Sequence, residues 1–120
     1  MSCGTLNGNN TLGENIADNG GLRQAYYAFR SQQQRDPKRA NQILAHLSEF
    51  GPEQLFFLAN AQIWCTRYRS QSLWSIIHRD PHVPARYRVN VPASNLPAFA
   101  RAFNCPLGSR MNPHRKCILW

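Results

Sequence analysis

The sequence predicts a mainly α-helical chain that forms one domain at most. Apolar residues recur at helical spacing in several segments, most of them longer than ten residues. Proline and glycine residues separate these segments. A single short segment, Tyr87 to Val91, has a strand-like pattern and is bounded by a proline. With 120 residues, of which 42% are hydrophobic, the chain can bury about two-thirds of the surface that it exposes when unfolded.

The first helix is predicted from Leu12 to Gln34, where apolar residues form a stripe at roughly helical spacing. Thr11 is a suitable N-cap, because Glu14 three residues later can complete a capping box. Gly20 and Gly21 each cost about 1 kcal/mol in a helix interior. Their presence therefore indicates close approach of another backbone.

Further helices follow between the proline and glycine residues. The segment from Ala40 to Phe50 is amphipathic, and that from Glu53 to Tyr68 is apolar on every side, which is typical of a core helix. Another short helix is predicted from Gln71 to His78. Ser94 is the predicted cap of a last helix from Asn95 to Phe103. From residue 105 onward, prolines and a glycine predict an irregular tail.

The formal net charge of +8 belongs to the second half of the chain. Residues 54–120 carry nine bases against the single acid Asp80, whereas residues 1–53 carry five of each. Such a surface can bind nucleic acid or anionic lipid. It can equally be a solvated face, or a surface that meets an acidic partner domain. No recognised basic-aromatic module accompanies the charge, so we expect no specific nucleic-acid binding.

The cysteines favour an extracellular protein with disulfide bonds. The four cysteines permit three fully paired connectivities, and none forms a Cys-x-x-Cys pair of the kind that structural zinc sites use. There is no run of about 20 apolar residues that could span a membrane, and we expect no signal peptide in this chain. The cysteines are Cys3, Cys65, Cys105 and Cys117.

Glu14 and Asp18 are four residues apart, so a helix would present both carboxylates on one face, one turn apart. Two interpretations are open from spacing alone. Glu14 can be the partner of a helix cap and Asp18 a solvated acid. Alternatively, both acids belong to a functional site, since the chain contains only six acids.

Residues 11–21, Thr-Leu-Gly-Glu-Asn-Ile-Ala-Asp-Asn-Gly-Gly, resemble the second zinc-site motif of the neprilysin and endothelin-converting-enzyme family of zinc metallopeptidases. The similarity covers nearly the whole chain in the family's order. It continues through residues 56–65, Asp80, His82, Arg88, Met111-Asn112-Pro113 and the terminal Cys-x-x-Trp of residues 117–120. The resemblance implies the C-terminal helical part of a thermolysin-like peptidase domain, so that residues 1–120 form a single partial domain.

The same resemblance implies roles for six residues. Glu14 is the third ligand of a zinc ion, and Asp18 lies behind it, bound to a ligating histidine, with a proton-donor role. His82 donates a hydrogen bond to the oxyanion of the tetrahedral intermediate, and Arg88 binds a substrate carbonyl. Ile63 and Trp64 resemble the wall of the pocket for the side chain after the cleaved bond, although ordinary core packing would explain them too.

A catalytic zinc needs three protein ligands and an open position. The chain contains no His-Glu-x-x-His, and Pro81 would break any helix that could place His78 and His82 on one face. We therefore expect the chain alone to be inactive and not to hold zinc.

The resemblance also concerns the cysteines. Cys65, Cys105 and Cys117 match family cysteines that bridge to segments before this chain.

In the complete enzyme, the resemblance implies peptide substrates, contact with the N-terminal remainder of the peptidase and a location in an extracellular or cell-surface ectodomain. Membrane attachment would come only through a parent anchor that is not present here. Pro81 and the Arg86-Tyr87-Arg88 run depart from the family's commonest sequence at these positions. The alternative function is a basic binding module that has kept the fold without the chemistry.

Overall fold

The computed structural model describes residues 6–42 and 44–118, and this part of the chain contains six α-helices and no β-strand. The mainly α prediction is therefore confirmed. Cys3 and the terminal Leu119-Trp120 lie outside the described residues. In chain order the helices are α1 (Leu12–Arg35), α2 (Pro37–Ala40), α3 (Pro52–Gln62), α4 (Ser70–Arg79), α5 (Ala85–Asn95) and α6 (Pro97–Ala102).

Helix α1 begins at Leu12 as predicted, but the capping box between Thr11 and Glu14 does not form. The Thr11 hydroxyl donates to the carbonyl of Asn7 and accepts from the side-chain amide of Asn15, at 3.2 and 2.9 Å. Glu14 is thereby left available for partners outside its own helix. A Cβ added at Gly21 would meet nothing within 4 Å, so the predicted close approach of another backbone is wrong at that glycine.

An aromatic cluster joins α1 to α3 and α6. The Tyr26 ring stacks on Phe57 with ring centroids 5.8 Å apart, and Phe57 packs edge-on against Phe99 at 5.2 Å. Phe57 is 4% exposed, and burying a side chain of this kind contributes about 2–3 kcal/mol. The Tyr26 hydroxyl donates to Glu53 at 3.1 Å. Burial, followed by this hydrogen bond, raises the pKa of Tyr26.

The predicted amphipathic helix from Ala40 to Phe50 is wrong. Helix α2 ends at Ala40, and the described residues that follow form turns. His46 has a φ of 65°, and Leu44 and Leu47 are exposed. An isolated helix of this length is marginal in water, and the described leucines of its apolar side are not buried against another element.

The strand-like segment from Tyr87 to Val91 is also wrong, because these residues lie inside α5. The β-branched and aromatic residues that produced the prediction express a context-dependent preference for sheets. Among the described residues there is no strand to pair with. Helix α5 instead packs against α1, and it continues through Pro92, which is buried.

The remaining helices differ from prediction mainly in where α3 ends and where the last helix begins. Helix α3 ends at Gln62 rather than Tyr68, and Phe57 is the buried residue within it. The last helix begins at Pro97, so that only Leu96 separates it from α5. Ser94 does not cap it, because its hydroxyl donates to the carbonyl of Val91 at 2.8 Å. Helix α4 matches its prediction to within one residue at each end.

Candidate active site

Glu14 and Asp18 lie one turn apart on α1, and each contacts a residue that follows α4 in the sequence. Glu14 contacts His82 in the loop between α4 and α5, and Asp18 contacts Arg88 in α5. The one-turn spacing thus becomes two neighbouring carboxylate contacts at the junction of α1 and α5. Five of the six residues singled out from sequence meet here, because Trp64 also contacts Arg88.

The Asp18–Arg88 pair is a bidentate ion pair. Arg88 donates from Nε to Asp18 Oδ2 at 2.7 Å and from Nη2 to Oδ1 at 2.6 Å. The two side chains are 12% and 17% exposed. The hydrogen bonds to Asp18 raise the pKa of Arg88, an effect that burial opposes. Parallel donation of this kind fixes the plane of the guanidinium as well as its position.

Trp64 supports the same guanidinium. The Arg88 Cζ atom lies 4.1 Å from the centroid of the Trp64 ring, which is a short cation–π distance. Trp64 reaches this position from the turn that follows α3. Arg88 Nη1 forms no hydrogen bond with the described residues, so it remains available as a donor.

His82 lies between two carboxylates. Its Nδ1 is 2.8 Å from Asp80 Oδ1, and its Nε2 is 3.1 Å from Glu14 Oε2. A neutral imidazole has one N–H, so donation to both carboxylates at once requires the imidazolium. Asp80 also accepts the backbone N–H of His82 at 2.8 Å. These bonds, the backbone one first, hold the pKa of Asp80 below its ordinary value.

A cavity of about 210 Å³ lies beside these groups. Asp80, His82, Arg88 and Trp64 contribute to its wall, together with Tyr68. Ile63 does not join them: it is 74% exposed on the turn after α3. The structure therefore brings Trp64 to the candidate site and leaves its neighbour Ile63 outside it.

Two features of the site were not predicted from the sequence. The Tyr68 hydroxyl accepts the backbone N–H of Ala85 at 3.1 Å and so fastens the start of α5. Asn95 at the end of α5 donates to the side chain of Asn19 at 2.8 Å. The position of Asn19 beside Asp18 was the one available hint, since neighbours of a site residue lie near the same contacts.

The described residues do not by themselves form a zinc site. The part of the chain that the structure describes contains no group of three or more histidine, cysteine, aspartate or glutamate side chains that could hold a metal. Glu14 offers one carboxylate, and its neighbour His82 is bound between Glu14 and Asp80. A catalytic zinc that used Glu14 as a ligand would need two further protein ligands.

The described cysteines Cys65, Cys105 and Cys117 are free thiols. They therefore give no evidence for the disulfide-bonded state that the sequence favoured. None of the helices in residues 6–42 and 44–118 has the length and apolar character needed to cross a membrane.

Comparison with known proteins gives the class. The family model of Peptidase family M13 matches residues 1–119. The chain is 48% identical over 115 residues to an endothelin-converting enzyme homolog of Locusta migratoria, and the match covers 96% of this chain and 15% of that protein. It is 47% identical to endothelin-converting enzyme 1 of Rattus norvegicus and 44% identical to neprilysin-21 of Caenorhabditis elegans, with the same coverage.

A solved structure agrees with the sequence matches. The chain superimposes on a structure titled "Haemonchus galactose containing glycoprotein complex" with a TM-score of 0.84 and 36% identity, over 91% of this chain and 18% of that one. The chain belongs to peptidase family M13, the neprilysin-like metallopeptidases. It spans about 15% of the length of the curated relatives that it matches.

Proposed function

We propose that residues 1–120 are a partial domain that supplies one wall of the active site of a neprilysin-like zinc metalloendopeptidase. The observation that carries this proposal is the guanidinium of Arg88, which Asp18 holds through Nε and Nη2 and which lines the same cavity as His82. Peptide substrates, the N-terminal remainder of the peptidase and an extracellular ectodomain belong to the complete enzyme. The family membership supports each of these parts.

Arg88 is the substrate-binding residue of this wall. Asp18 fixes its plane through two hydrogen bonds, and Trp64 covers one face of the guanidinium. A carbonyl oxygen of the peptide backbone beside the cleaved bond accepts from Nη1. Because the cation is already oriented, substrate binding does not have to order a flexible side chain.

His82 is the donor to the oxyanion that develops during hydrolysis. Asp80 holds its ring through Nδ1, and Nε2 is then the donor to the substrate in the imidazolium form, in which both ring nitrogens carry a proton. In the chain alone this Nε2 faces Glu14. The oxyanion would take a place that lies near both groups, where a donor aimed in advance is most effective.

Glu14 is the one zinc ligand that this chain contributes. Its side chain is 41% exposed and contacts His82 Nε2 at 3.1 Å, so the carboxylate is accessible to a further partner. Asp18 is committed to Arg88, yet each of its oxygens keeps a second acceptor site. Asp18 can therefore also accept from a histidine ligand and fix its orientation, as carboxylates behind metal sites do. Trp64 contributes to the wall of the pocket after the cleaved bond, with Ile63 at its edge.

The test uses the complete enzyme with Arg88→Ala and, as a matched control, Arg86→Ala. Arg86 lies two residues away, is exposed, and contacts the ring of Tyr87. A hydrogen bond to a charged group is worth about 1.5–3 kcal/mol, so Arg88→Ala should lower kcat/KM by about 10- to 150-fold. Arg86→Ala should stay within about twofold, the range of most surface substitutions.

A second variant tests the metal role. Glu14→Gln should remove bound zinc and turnover together, with the fold retained, and the 120-residue chain alone should not cleave peptides. Normal zinc content and normal turnover in Glu14→Gln would reduce Glu14 to a surface carboxylate. Equal losses in Arg88→Ala and Arg86→Ala would show that general basic charge, rather than a held guanidinium, binds the substrate.

A further inference from the structure

Helices α1 and α5 are joined by two cross-links. Arg88 meets Asp18 near the start of α5, and Asn95 Nδ2 donates to Asn19 Oδ1 at its end, at 2.8 Å. On α5 the two residues are seven positions apart, about 10 Å along the axis. On α1 their partners are adjacent residues. Two widely spaced points of α5 therefore converge on one point of α1.

Asn95 uses both ends of its amide. While Nδ2 donates to Asn19, Oδ1 accepts the backbone N–H of Cys117 in the tail at 3.0 Å. Lys116 Nζ reinforces the same junction by donating to the carbonyl of Ser94 at 2.6 Å. The space left at this junction is about 10 Å³, no more than one water molecule requires. One side chain thus ties together α1, α5 and the tail.

The junction at Asn95 restricts the orientation of α5 and therefore the position of Arg88. A single cross-link between two helices is a pivot, about which one helix can rotate over the other. The second cross-link, about 10 Å away, removes that freedom. Helix α5 is one helix from Ala85 to Asn95, although Pro92 removes the hydrogen bond of its ladder that would reach the Arg88 carbonyl. Pro92 and Ala93 are buried, so a rotation of the end of α5 is transmitted to the residue near its start through packing as well as through the backbone. The direction in which Nη1 of Arg88 is held therefore depends on Asn95.

We propose that Asn95 is a positioning residue for substrate binding, acting through α5 on the guanidinium of Arg88, with Asn19 as its partner on α1. This inference rests on the proposed role of Arg88. Asn95 touches neither substrate nor metal. Its contribution is to hold the donor of Arg88 in place, where a misplacement of about 1 Å can cost up to about 100-fold in rate.

The experiment compares three variants of the complete enzyme. Asn95→Ala and Asn19→Ala each remove the cross-link, and Asn19→Ala leaves the bond from Asn95 to the tail intact. Asn90→Ala is the matched control, because Asn90 is an exposed asparagine of α5 whose side chain forms no hydrogen bond with the described residues. Asn95→Ala and Asn19→Ala should each raise KM about tenfold with kcat nearly unchanged, and Asn90→Ala should change neither. The double variant should be no worse than either single one.

Two further measurements separate positioning from general destabilisation. In an Arg88→Ala background, Asn95→Ala should have no additional effect on KM, since its route to the substrate is gone. An equal effect in both backgrounds would overturn the proposal. A crystal structure of the Asn95→Ala enzyme gives a readout independent of activity: the guanidinium should leave its place against Asp18 by more than about 0.5 Å.

Both Arg88–Asp18 bonds kept at their present lengths in that crystal structure would also overturn the role of Asn95. If Arg88→Ala by itself leaves KM unchanged, the proposed role of Arg88 in substrate binding is wrong. The crystal structure then still decides whether Asn95 positions the guanidinium. The two failures are therefore distinguishable.

Discussion

Asp18→Asn tests the central contact of the candidate site. Asparagine has nearly the shape of aspartate, but it offers one acceptor oxygen and turns an N–H₂ group toward the guanidinium, which itself only donates. One of the two bonds from Arg88 is therefore lost, together with the opposite charge. A hydrogen bond to a charged group is worth about 1.5–3 kcal/mol. Because the two side chains keep some exposure, 12% and 17%, we expect about 2 kcal/mol, which is roughly 30-fold.

The assay is peptide hydrolysis by the complete enzyme, measured together with bound zinc. We expect kcat/KM to fall about 30-fold, while zinc remains bound, because Asp18 is not a direct ligand in the proposed site. Asp36→Asn is the matched control. Asp36 caps α2 by accepting the backbone N–H of Arg39 at 3.1 Å, and asparagine caps helices equally well. That variant should behave like the unaltered enzyme.

A double variant with Arg88→Ala shows whether the loss of activity in Asp18→Asn comes from the Asp18–Arg88 pair. If Asp18 acts mainly by holding the guanidinium, Asp18→Asn in an Arg88→Ala background should cost clearly less than about 30-fold, because only its bond to the histidine ligand is then left to lose. The full 30-fold loss in that background would refute the reasoning and leave Asp18 with a role toward the metal alone. Complete loss of zinc in Asp18→Asn would refute the assignment in a different way, by making Asp18 a ligand.

Three other predictions concern stability and charge. Asp80 has a lowered pKa because His82 donates to it from its backbone N–H and from its ring. The stabilisation from Asp80 is therefore present above the ordinary pKa of 3.8 and is lost as the pH falls through the lowered pKa. Asp80→Asn should remove this acid-induced loss of stability, measured as unfolding between about pH 5 and 2. Gly108→Ala should destabilise the chain by about 1–2 kcal/mol in urea unfolding, because Gly108 has a φ of 86°. Gly21→Ala, in open space on α1, should stabilise it by about 0.5–1 kcal/mol, and the same sign for both glycines would contradict the explanation. Binding of the isolated chain to heparin or DNA should be weak and disappear in moderate salt, whereas sequence-selective binding that survives about 0.3 M salt would favour a basic binding module.

The helices that could be predicted from sequence are those with a regular apolar periodicity and clear start and stop signals. Helix α1 is long and starts where the Thr11 signal places it. Helix α4 has apolar residues at regular helical spacing and ends at Arg79, before the proline that follows Asp80. The segment from Tyr87 to Val91 failed because its residue types favour strands, and that preference depends on a partner strand. Packing of α5 on α1 decided the outcome instead.

The sequence by itself determined the geometry within single helices and the family to which the chain belongs. The four-residue spacing of Glu14 and Asp18 places both carboxylates on one helix face, because helix geometry repeats every 3.6 residues. The motifs at residues 11–21 and 56–65 identified the family, which the family model and the relatives confirmed.

The tertiary structure decided which groups meet. Asp18 and Arg88 are 70 residues apart in the chain, and Asn19 and Asn95 are 76 apart. No local pattern encodes such pairs, because their geometry follows from how α5 lies across α1. Ile63 and Trp64 are neighbours in sequence with the same predicted role, yet only Trp64 reaches the guanidinium. Burial and hydrogen bonding depend on contacts that form when the helices pack, and for that reason they could be read only from the fold.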